Sequence, residues 1–455
     1  MVIKLNKNMI YDVKIDSISS SGFGVCRIDG MVVFVANAVT GDEVRIKIIK
    51  AKKNYAVARV EKILKKSHIR IESDCDVFKK CGGCAYRNIT YDAESQIKQT
   101  VIKDAFLRIG GIDINVDEYV GASSRCRYRN KGQYPISREN GELKIGFYAT
   151  RTHNVVDCRN CLLHPELFSK IINEFAEFVD EEKISVYDEK TEKGLLRHIY
   201  LRIAQATGEV MVCVVINGKK LPQREKLVKR LTDKFPQIRS IAINFNTEKT
   251  NVILGNQTEI IWGKNYITDV LCGVKVQISP MSFYQVNRVQ AEKLYKKVDE
   301  YASLSGKEKV VDLYCGAGTI GLSMAKKVKK IIGVEIVEQA VENARENAKI
   351  NNIENAEFIC GDAEQCAKIL YERKEKADVL IVDPPRKGLA DELIDTIVKM
   401  NPEKLVYVSC DVATMARDCK NFKEKGYEID KLSAFDLFPG TIHVETVCLL
   451  SRKDK

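Results

Sequence analysis

The stretch Asp312-Leu-Tyr-Cys-Gly316-Ala-Gly318-Thr-Ile-Gly321 decides the fold of the C-terminal part of this 455-residue chain. It joins the strand-like run KVVDL to the helix-like run TIGLSMAKKV, and its glycines fit the pattern G-x-G-x-x-G. Such a turn lets a ligand approach the backbone, and the start of the helix offers N–H donors to an anion. Nicotinamide, flavin and S-adenosylmethionine sites share this pattern, so it predicts a cofactor site without selecting the cofactor.

From about residue 281, apolar runs continue to alternate with helix-like runs, through KIIGVEI, VEQAVENARENAKIN, AEFICGD, ADVLIVDPP, KLVYVSC and HVETVCLLSRK. This alternation predicts an α/β domain, 281–455, with a parallel sheet covered on both faces. Ligands in such sheets lie outside the carboxyl ends of the strands. Glu335, Asp383 and Cys410 end the second, fourth and fifth strands, so we expect them at one rim.

The remaining sequence predicts two further domains. Short runs rich in Val, Ile and Tyr, separated by Gly-containing turns, predict an OB-like β-barrel over residues 1–66, and its last strands form a basic flank suited to nucleic acid. Residues 67–280 predict an α+β domain, beginning with an irregular segment to about residue 90 and an amphipathic helix over 91–110 that Gly110-Gly111 stops.

Composition favours a cytosolic protein with a polyanionic partner. The net charge is +11, the N-terminus has no apolar signal region, and no long uncharged apolar run predicts a membrane span. The 15 cysteines of such a chain are expected to be reduced, and most of them to be small core residues.

Three cysteines cluster in the irregular segment, as Cys75-x5-Cys81-x2-Cys84. Cys161 is a plausible fourth metal ligand, and Cys158 competes with it for that place. Four thiolates can hold a [4Fe–4S] cluster or zinc, and the spacing alone does not choose between the metals.

Cys410 and Glu445 are candidates for a nucleophile and a base. Glu445 opens the last strand, which is expected to neighbour the fifth, so both side chains are predicted at the same rim. A thiolate that adds to C6 of a uracil makes C5 enolate-like and able to accept a methyl group. A base must then remove the proton from C5 before the thiolate leaves.

With these residues, the chain strongly resembles the bacterial RNA uracil-5-methyltransferases, and within them the 23S ribosomal RNA branch that carries an N-terminal TRAM domain. The resemblance covers nearly the whole chain. The stretches that carry it are the TRAM-like 1–66, Cys75…Cys81-Gly-Gly-Cys84, Ser282-Phe-Tyr-Gln285-Val-Asn287, Asp312-Leu-Tyr-Cys-Gly-Ala-Gly-Thr319, Asp383-Pro-Pro-Arg386, Val408-Ser-Cys410 with Ala413-Thr-Met-Ala-Arg417-Asp418, and His443-Val-Glu445.

The resemblance implies a Rossmann-like class I methyltransferase domain, a TRAM barrel and a central iron–sulfur domain, with 23S ribosomal RNA as partner and no protein partner. It assigns Cys410 as nucleophile and Glu445 as base, and it places Phe283 against the flipped base. The implied S-adenosylmethionine contacts are Gln285, Tyr314, Glu335 and Asp383. The implied [4Fe–4S] ligands are Cys75, Cys81, Cys84 and Cys161, with Cys161 preferred to Cys158.

Two positions depart from the family pattern. Asp411-Val412 replaces the usual Asn-Pro after the nucleophile, which leaves the contacts of that loop open. Gly440 replaces a larger residue, often Gln, and is expected to loosen the approach to Glu445.

Four alternatives share part of these features. The same chemistry on the T-loop uridine of transfer RNA is the nearest, although that branch typically lacks the TRAM domain and the cysteine triplet. A radical S-adenosylmethionine methylthiotransferase would need C-x3-C-x2-C instead of C-x5-C-x2-C. An RNA-binding protein with a decayed catalytic site would have no reason to keep both Cys410 and Glu445. A nicotinamide oxidoreductase would share the glycine turn but has no use for that thiol.

Overall fold

The computed structural model describes residues 5–452 of the chain. Its strands form three sheets and one separate hairpin. Within the described residues, no helix combines the length and the apolar character that crossing a bilayer requires.

The N-terminal region is one six-stranded sheet, in the order β1-β5-β6-β4-β3-β2. Its strands are β1 (Ile10–Lys14), β2 (Ser17–Ile18), β3 (Gly24–Ile28), β4 (Met31–Ala36), β5 (Glu43–Ala51) and β6 (Tyr55–Lys65). The alternation of β5 shows why it folds this way, since Val44, Ile46 and Ile48 are buried while the intervening basic residues face outward. The sheet confirms the predicted all-β module.

An irregular segment then leads into a helix that packs on the C-terminal part of the chain. Helix α1 (Tyr91–Ala105) continues as a π-helical turn, Phe106–Gly110, and a short strand, β7 (Glu118–Val120), follows. Thr90 caps the start of α1, and Gly111 ends the turn in the left-handed conformation, as expected of glycine at a helix end. Ile102 and Phe106 are fully buried in the same apolar cluster as the core of the C-terminal sheet described below.

The central region is a seven-stranded sheet, in the order β10-β9-β8-β11-β12-β13-β14, with two helices and a hairpin. The strands are β8 (Lys131–Glu139), β9 (Glu142–Tyr148), β10 (Val155–Asp157), β11 (Leu196–Ile203), β12 (Val210–Ile216), β13 (Ile238–Phe245) and β14 (Gln257–Gly263). The helices are α2 (Glu166–Glu181) and α3 (Arg224–Lys234), and β15 (Ile267–Leu271) and β16 (Val274–Ile278) form the hairpin. Ile199 and Leu201 of β11 pack on the side of α2 and α3, whereas Tyr200 packs on the C-terminal region.

The C-terminal region alternates helices and strands as predicted. The helices are α4 (Arg288–Ala302), α5 (Thr319–Met324) with a 3-10 turn at Ala325–Lys327, α6 (Glu338–Ile350), α7 (Ala363–Glu372), α8 (Asp391–Met400) and α9 (Val412–Glu424). The strands are β17 (Lys309–Leu313), β18 (Lys330–Glu335), β19 (Ala356–Cys360), β20 (Val379–Val382), β21 (Lys404–Ser409), β22 (Tyr427–Phe435) and β23 (Glu445–Arg452).

These strands and β7 form one eight-stranded sheet, in the order β19-β18-β17-β20-β21-β23-β22-β7. The first five are parallel, as predicted, but β23 runs antiparallel to both β21 and β22. The expectation of a parallel sheet is therefore correct only for those five strands. Because β23 enters the sheet where β21 ends, the start of β23 lies at the carboxyl rim of the parallel strands.

Candidate active site

A large cavity lies outside the carboxyl ends of the parallel strands. Its volume is about 1650 Å³, and it reaches from the glycine turn past Cys410 and Glu445 to the N-terminal sheet and the cysteine segment. All four residues that the resemblance assigns to the cofactor, Gln285, Tyr314, Glu335 and Asp383, line it. Phe283 lines it too, and 69% of this side chain is exposed. The sequence-predicted residues of the rim are thus brought together.

The glycine turn has the conformation of a ligand cradle. Tyr314 has φ of 65° and Gly316 has φ of 55°, so the chain passes twice through the left-handed region immediately after β17. A Cβ atom built at Gly316 would meet nothing within 4 Å, which leaves open space on the cavity side. Glu335 fixes the turn from the next strand, because its carboxylate accepts the N–H of Gly316 (3.1 Å) and that of Val337 (2.9 Å).

Asp312 is a buried acid beneath the turn that the sequence analysis did not assign to the cofactor. One of its oxygens, Oδ2, accepts the N–H of Gly321 at 3.2 Å, and the other, Oδ1, has no partner within residues 5–452. Burial, followed by the nearby Asp383, raises the pKa of Asp312 to about 7. An orphaned buried acceptor fits a ligand that brings its own donor or positive charge, as the ammonium and sulfonium groups of S-adenosylmethionine do. The signal in the sequence was an acid at a strand end before a glycine turn.

Strand pairing places Cys410 beside Glu445. Ser409, the last residue of β21, pairs with Thr446 of the antiparallel strand β23. Cys410, which follows Ser409, therefore lies beside Glu445, which precedes Thr446. Cys410 is half-buried, whereas Glu445 is only 6% exposed. Residues 35 apart in sequence therefore share one corner of the cavity, as predicted.

Burial disfavours charge on this corner in the absence of ligands. Burial is the largest cause that raises the pKa of Cys410 to about 11, and the carboxyl groups of Glu445 and Asp383 add to it. Arg386 opposes this shift, because its positive charge favours the thiolate. Burial and Asp383 likewise raise the pKa of Glu445 to about 8. A carboxyl group with a pKa near the working pH is suited to accepting a proton.

Asp411 does the structural work expected of the usual asparagine. Its carboxylate accepts the N–H groups of Ala413 (3.0 Å) and Thr414 (3.1 Å) and so caps the start of α9. Asparagine caps helices in the same way, and proline is favoured at the first helical position, which Val412 occupies here. The departure from Asn-Pro therefore keeps the helix cap that follows Cys410.

The backbone of Gly440 is fixed by hydrogen bonds on both its N–H and its carbonyl. Its φ of 83° suits glycine. Its N–H donates to Oε1 of Glu94 at 2.6 Å, and its carbonyl accepts the N–H groups of Ala85 and Tyr86, both at 2.9 Å. These bonds replace any support that a larger side chain would give.

A buried ion network underlies this contact. The ammonium group of Lys98, on α1, lies 2.8 Å from Oε1 of Glu94 and 2.8 Å from Oδ1 of Asp436, and all three side chains are buried. The hydroxyl of Tyr91 donates to the other oxygen of Asp436 at 2.9 Å. The network ties α1 to the segment that leads into Glu445.

The cysteine segment lies against the β9–β10 hairpin at the other end of the cavity. Gly82 donates its N–H to the carbonyl of Tyr148 at 3.1 Å, and Cys81 bridges to Ala149. Cys75, Cys81 and Cys84 each have a raised pKa, with burial as the first cause and the neighbouring Cys161 as another. The four sulfurs are therefore close enough to affect one another's ionisation.

Cys158 is also near, and it acts on Cys161. Interaction with the Cys158 thiol lowers the pKa of Cys161. No group of three or more His, Cys, Asp or Glu side chains among residues 5–452 has the arrangement that a single metal ion needs. A four-iron cluster separates its ligands more widely, because each thiolate binds a different iron.

Comparison with known proteins identifies the family. The TRAM domain profile matches residues 4–60, and the profile described as tRNA (uracil-5-)-methyltransferase matches residues 90–453, most of the chain. The chain belongs to the RNA uracil-5-methyltransferase family. It is therefore an S-adenosylmethionine-dependent enzyme of RNA. This excludes the radical methylthiotransferase and the nicotinamide oxidoreductase.

Relatives of this methyltransferase match along nearly their whole length. A protein of Clostridium tetani, named an uncharacterized RNA methyltransferase, is 45% identical over 449 residues, 99% of this chain and 98% of the relative. One of Bacillus cereus with the same description is 41% identical over 100% of this chain and 99% of its own. The crystal structure of Pyrococcus abyssi tRNA (uracil-54, C5)-methyltransferase with S-adenosyl-L-homocysteine has a TM-score of 0.80 and 32% identity, covering 96% of this chain and 99% of that one.

We predict that the positive charge of Arg386 increases the reactivity of the Cys410 thiol. Replacing it, Arg386→Met, removes the cation that favours the Cys410 thiolate, so we expect the pKa of this thiol to rise. The rate of Cys410 alkylation by iodoacetamide is measured by peptide mass spectrometry between pH 6 and 10. The pH at which this rate reaches half of its maximum should be higher in the variant than in the wild type. The adjacent Lys387→Met is the matched control and should leave the profile in place. An unchanged profile in Arg386→Met would contradict the assignment.

Proposed function

We propose that this enzyme methylates C5 of a uridine in 23S ribosomal RNA through a covalent adduct between Cys410 and C6 of the base. The observation that carries the proposal is the position of Cys410 and Glu445 on adjoining strands at the rim of the cofactor cavity. The exposed ring of Phe283 offers a surface on which the extruded uracil can stack.

In the first step, the thiolate of Cys410 forms a bond to C6, and the electron pair of the C5–C6 double bond moves towards C5 and the O4 carbonyl. Arg386 favours the thiolate in this step because its positive charge lowers the pKa of Cys410. When bound at the glycine turn, S-adenosylmethionine supplies an electrophilic methyl group. C5 would accept that methyl group while still carrying its hydrogen, and S-adenosylhomocysteine would leave with the electron pair of the broken S–CH3 bond.

In the second step, Glu445 removes the proton from C5. The electron pair of the C–H bond re-forms the C5–C6 double bond, and Cys410 leaves as the thiolate. A pKa of about 8 makes Glu445 a stronger base than an exposed carboxylate. We infer that Gln285, Tyr314, Glu335 and Asp383 hold the cofactor, and Asp312 adds a buried acceptor beneath it.

We also propose that Cys75, Cys81, Cys84 and Cys161 hold a [4Fe–4S] cluster. Four cysteine sulfurs without a histidine or carboxylate among them are the donor set of such clusters, and zinc is the other metal they suit. Methyl transfer needs no electron, so the role of the cluster is structural. Cys84 directly precedes Ala85 and Tyr86, whose N–H groups hold Gly440, so a rigid cysteine segment would support the segment before Glu445.

Transfer RNA is the second candidate substrate, because the solved Pyrococcus abyssi relative is a tRNA (uracil-54, C5)-methyltransferase. That match covers 96% of this chain, which weakens the TRAM domain and the cysteines as arguments for ribosomal RNA. The resemblance to the 23S branch remains the support for the ribosomal substrate.

Methylation of defined transcripts tests the substrate. Purified enzyme with labelled S-adenosylmethionine should label a 23S ribosomal RNA transcript, and mass spectrometry of its digest should find 5-methyluridine. Transfer RNA transcripts serve as the comparison. Labelling of transfer RNA alone would overturn the ribosomal proposal while leaving the chemistry intact.

The role of Glu445 predicts a variant that stalls after methyl transfer. In Glu445→Gln the proton on C5 has no base to accept it, so methylated RNA should remain bound to the protein. With RNA carrying tritium at C5 of uridine, tritium release should fall by about a hundredfold or more while the covalent complex accumulates on denaturing gels. Glu424→Gln, at the exposed end of α9, is the control. Undiminished tritium release would show that another group is the base.

The proposed cluster predicts a coloured protein under anaerobic conditions. The wild-type protein should contain iron and sulfide and absorb visible light. The variant Cys84→Ser should lose the iron, the sulfide and this absorbance, and its hydrogen exchange at residues 438–445 should increase. Cys126→Ser is the matched control, because Cys126 lies beside Arg87 and Asp74 near the cluster but outside the four ligands. Colourless protein that contains zinc would contradict the iron–sulfur assignment.

A further inference from the structure

Two cationic side chains line the cavity close together, and a third, which is buried, lies beside them. Arg129 and Lys131 both line it, and Lys131, the first residue of β8, pairs directly with Arg202 of β11. Between them, Asn130 binds the segment that carries Phe283. Its N–H donates to the carbonyl of Val286 at 2.8 Å, and its side-chain amide donates to the carbonyl of Gln285 at 2.9 Å. We call Arg129, Lys131 and Arg202 the cationic wall.

Within the described residues, no acidic side chain pairs with the cationic wall. Arg129 and Lys131 form no side-chain hydrogen bond and no ion pair with any of residues 5–452. Arg202 is 1% exposed and donates one hydrogen bond, to the carbonyl of Ser282 at 2.9 Å. Its Nε has no partner within these residues. Buried charges in proteins are normally paired, so the cationic wall is suited to binding an anion.

The repulsion between the charges of the cationic wall also favours a role in binding an anion. Like charges directly opposite each other on paired strands are destabilising, and Lys131 faces Arg202 in this way. Burial, followed by Arg202 and then Arg129, lowers the pKa of Lys131 to about 8. Sites that sacrifice stability for an unpaired charge are characteristic of ligand binding.

We propose that the cationic wall binds a phosphodiester group of the RNA next to the target uridine. The inference rests on the proposed function and extends it to the backbone of the substrate. Arginine and lysine are the common ligands of phosphate, and a phosphate beside an extruded nucleotide would keep that nucleotide in register with Cys410. Because Asn130 fixes the segment of Phe283, the phosphate and the stacking surface are held by the same strand end.

The carboxylate of the cofactor is the other anion that could reach this cavity. Asn130, between Arg129 and Lys131, binds the segment of the exposed Phe283, so we assign the cationic wall to the RNA. The two anions predict different results. If the wall binds the RNA phosphate, loss of its charge weakens RNA binding, and if it binds the cofactor carboxylate, the loss weakens cofactor binding.

The test is Lys131→Met, which removes the charge and retains the length of the side chain. With the RNA that the wild-type enzyme methylates, the Kd should rise about tenfold, as for the loss of one charged hydrogen bond. The slope of log K against log salt should become shallower by about 0.7 for the lost phosphate contact. The Kd for S-adenosylhomocysteine, measured by calorimetry without RNA, should stay unchanged. The Tm should stay level or rise, because the repulsion with Arg202 is relieved.

Two controls accompany this variant. Lys170→Met makes the same charge change at an exposed position of α2, on the opposite side of the central sheet, and should alter neither the Kd nor the salt slope. Lys131→Arg keeps the cation and should restore tight binding. If Lys131→Met does not fold, Arg129→Gln removes a half-exposed member of the same wall and should give the same loss.

Unchanged RNA affinity and salt slope in folded Lys131→Met would overturn the proposal. Weaker S-adenosylhomocysteine binding with unchanged RNA binding would also overturn it and assign the wall to the cofactor. These results are separate from a failure of the proposed function, which would appear in the wild-type enzyme as RNA without 5-methyluridine.

Discussion

The antiparallel pairing of β23 with β21 is the constraint on which the site depends. Parallel strands deliver their side chains to the rim only at their carboxyl ends, whereas an antiparallel strand delivers the residue with which it begins. The reversal therefore brings Glu445, at the first position of β23, beside Cys410, which follows the last residue of β21. A nucleophile and a base that must act on two adjacent ring carbons need this proximity, and a purely parallel sheet would not give it from a C-terminal strand.

The segment before β23 has no regular structure, so other regions of the molecule must fix it. The network of Lys98, Glu94 and Asp436 does so from α1, and the cysteine segment does so through Gly440. Ile442 shares a small apolar cluster with Ile18 and Val39 of the N-terminal module. Three regions of the chain therefore support the segment that leads into the proposed base, Glu445. Breaking a buried ion pair by removing one partner typically costs about 3–5 kcal/mol, so the network is a strong constraint.

The sequence predicted the parts of the fold that depend on local patterns. The glycine turn, the five parallel strands and the rim positions of Glu335, Asp383 and Cys410 follow from strand–helix alternation, which needs only nearby residues. The antiparallel direction of β23 and the addition of β7 to the sheet were not predicted. Strand β7 has three residues, too few for a periodic signal, and it pairs with β22, more than 300 residues away in sequence.

The features of the site that the sequence did not predict depend on contacts between residues far apart in the chain. Gly440 was interpreted from its missing side chain, but its support comes from Glu94, 346 residues away in sequence. Lys131 and Arg202 are unremarkable in sequence, because only the register of β8 with β11 places their charges opposite each other. Asp312 carried a local signal, and the burial that leaves one of its oxygens without a partner becomes visible only in the folded chain.

The identity of the residue that bonds to the RNA tests this account most directly. RNA in which the target uridine is replaced by 5-fluorouridine should form a stable complex with the enzyme and S-adenosylmethionine, because fluorine does not leave C5 as a proton does. Mass spectrometry of the digested complex should find the modified nucleotide on the peptide that contains Cys410. A nucleotide on another of the 15 cysteines, or methylation without any covalent complex, would contradict the account.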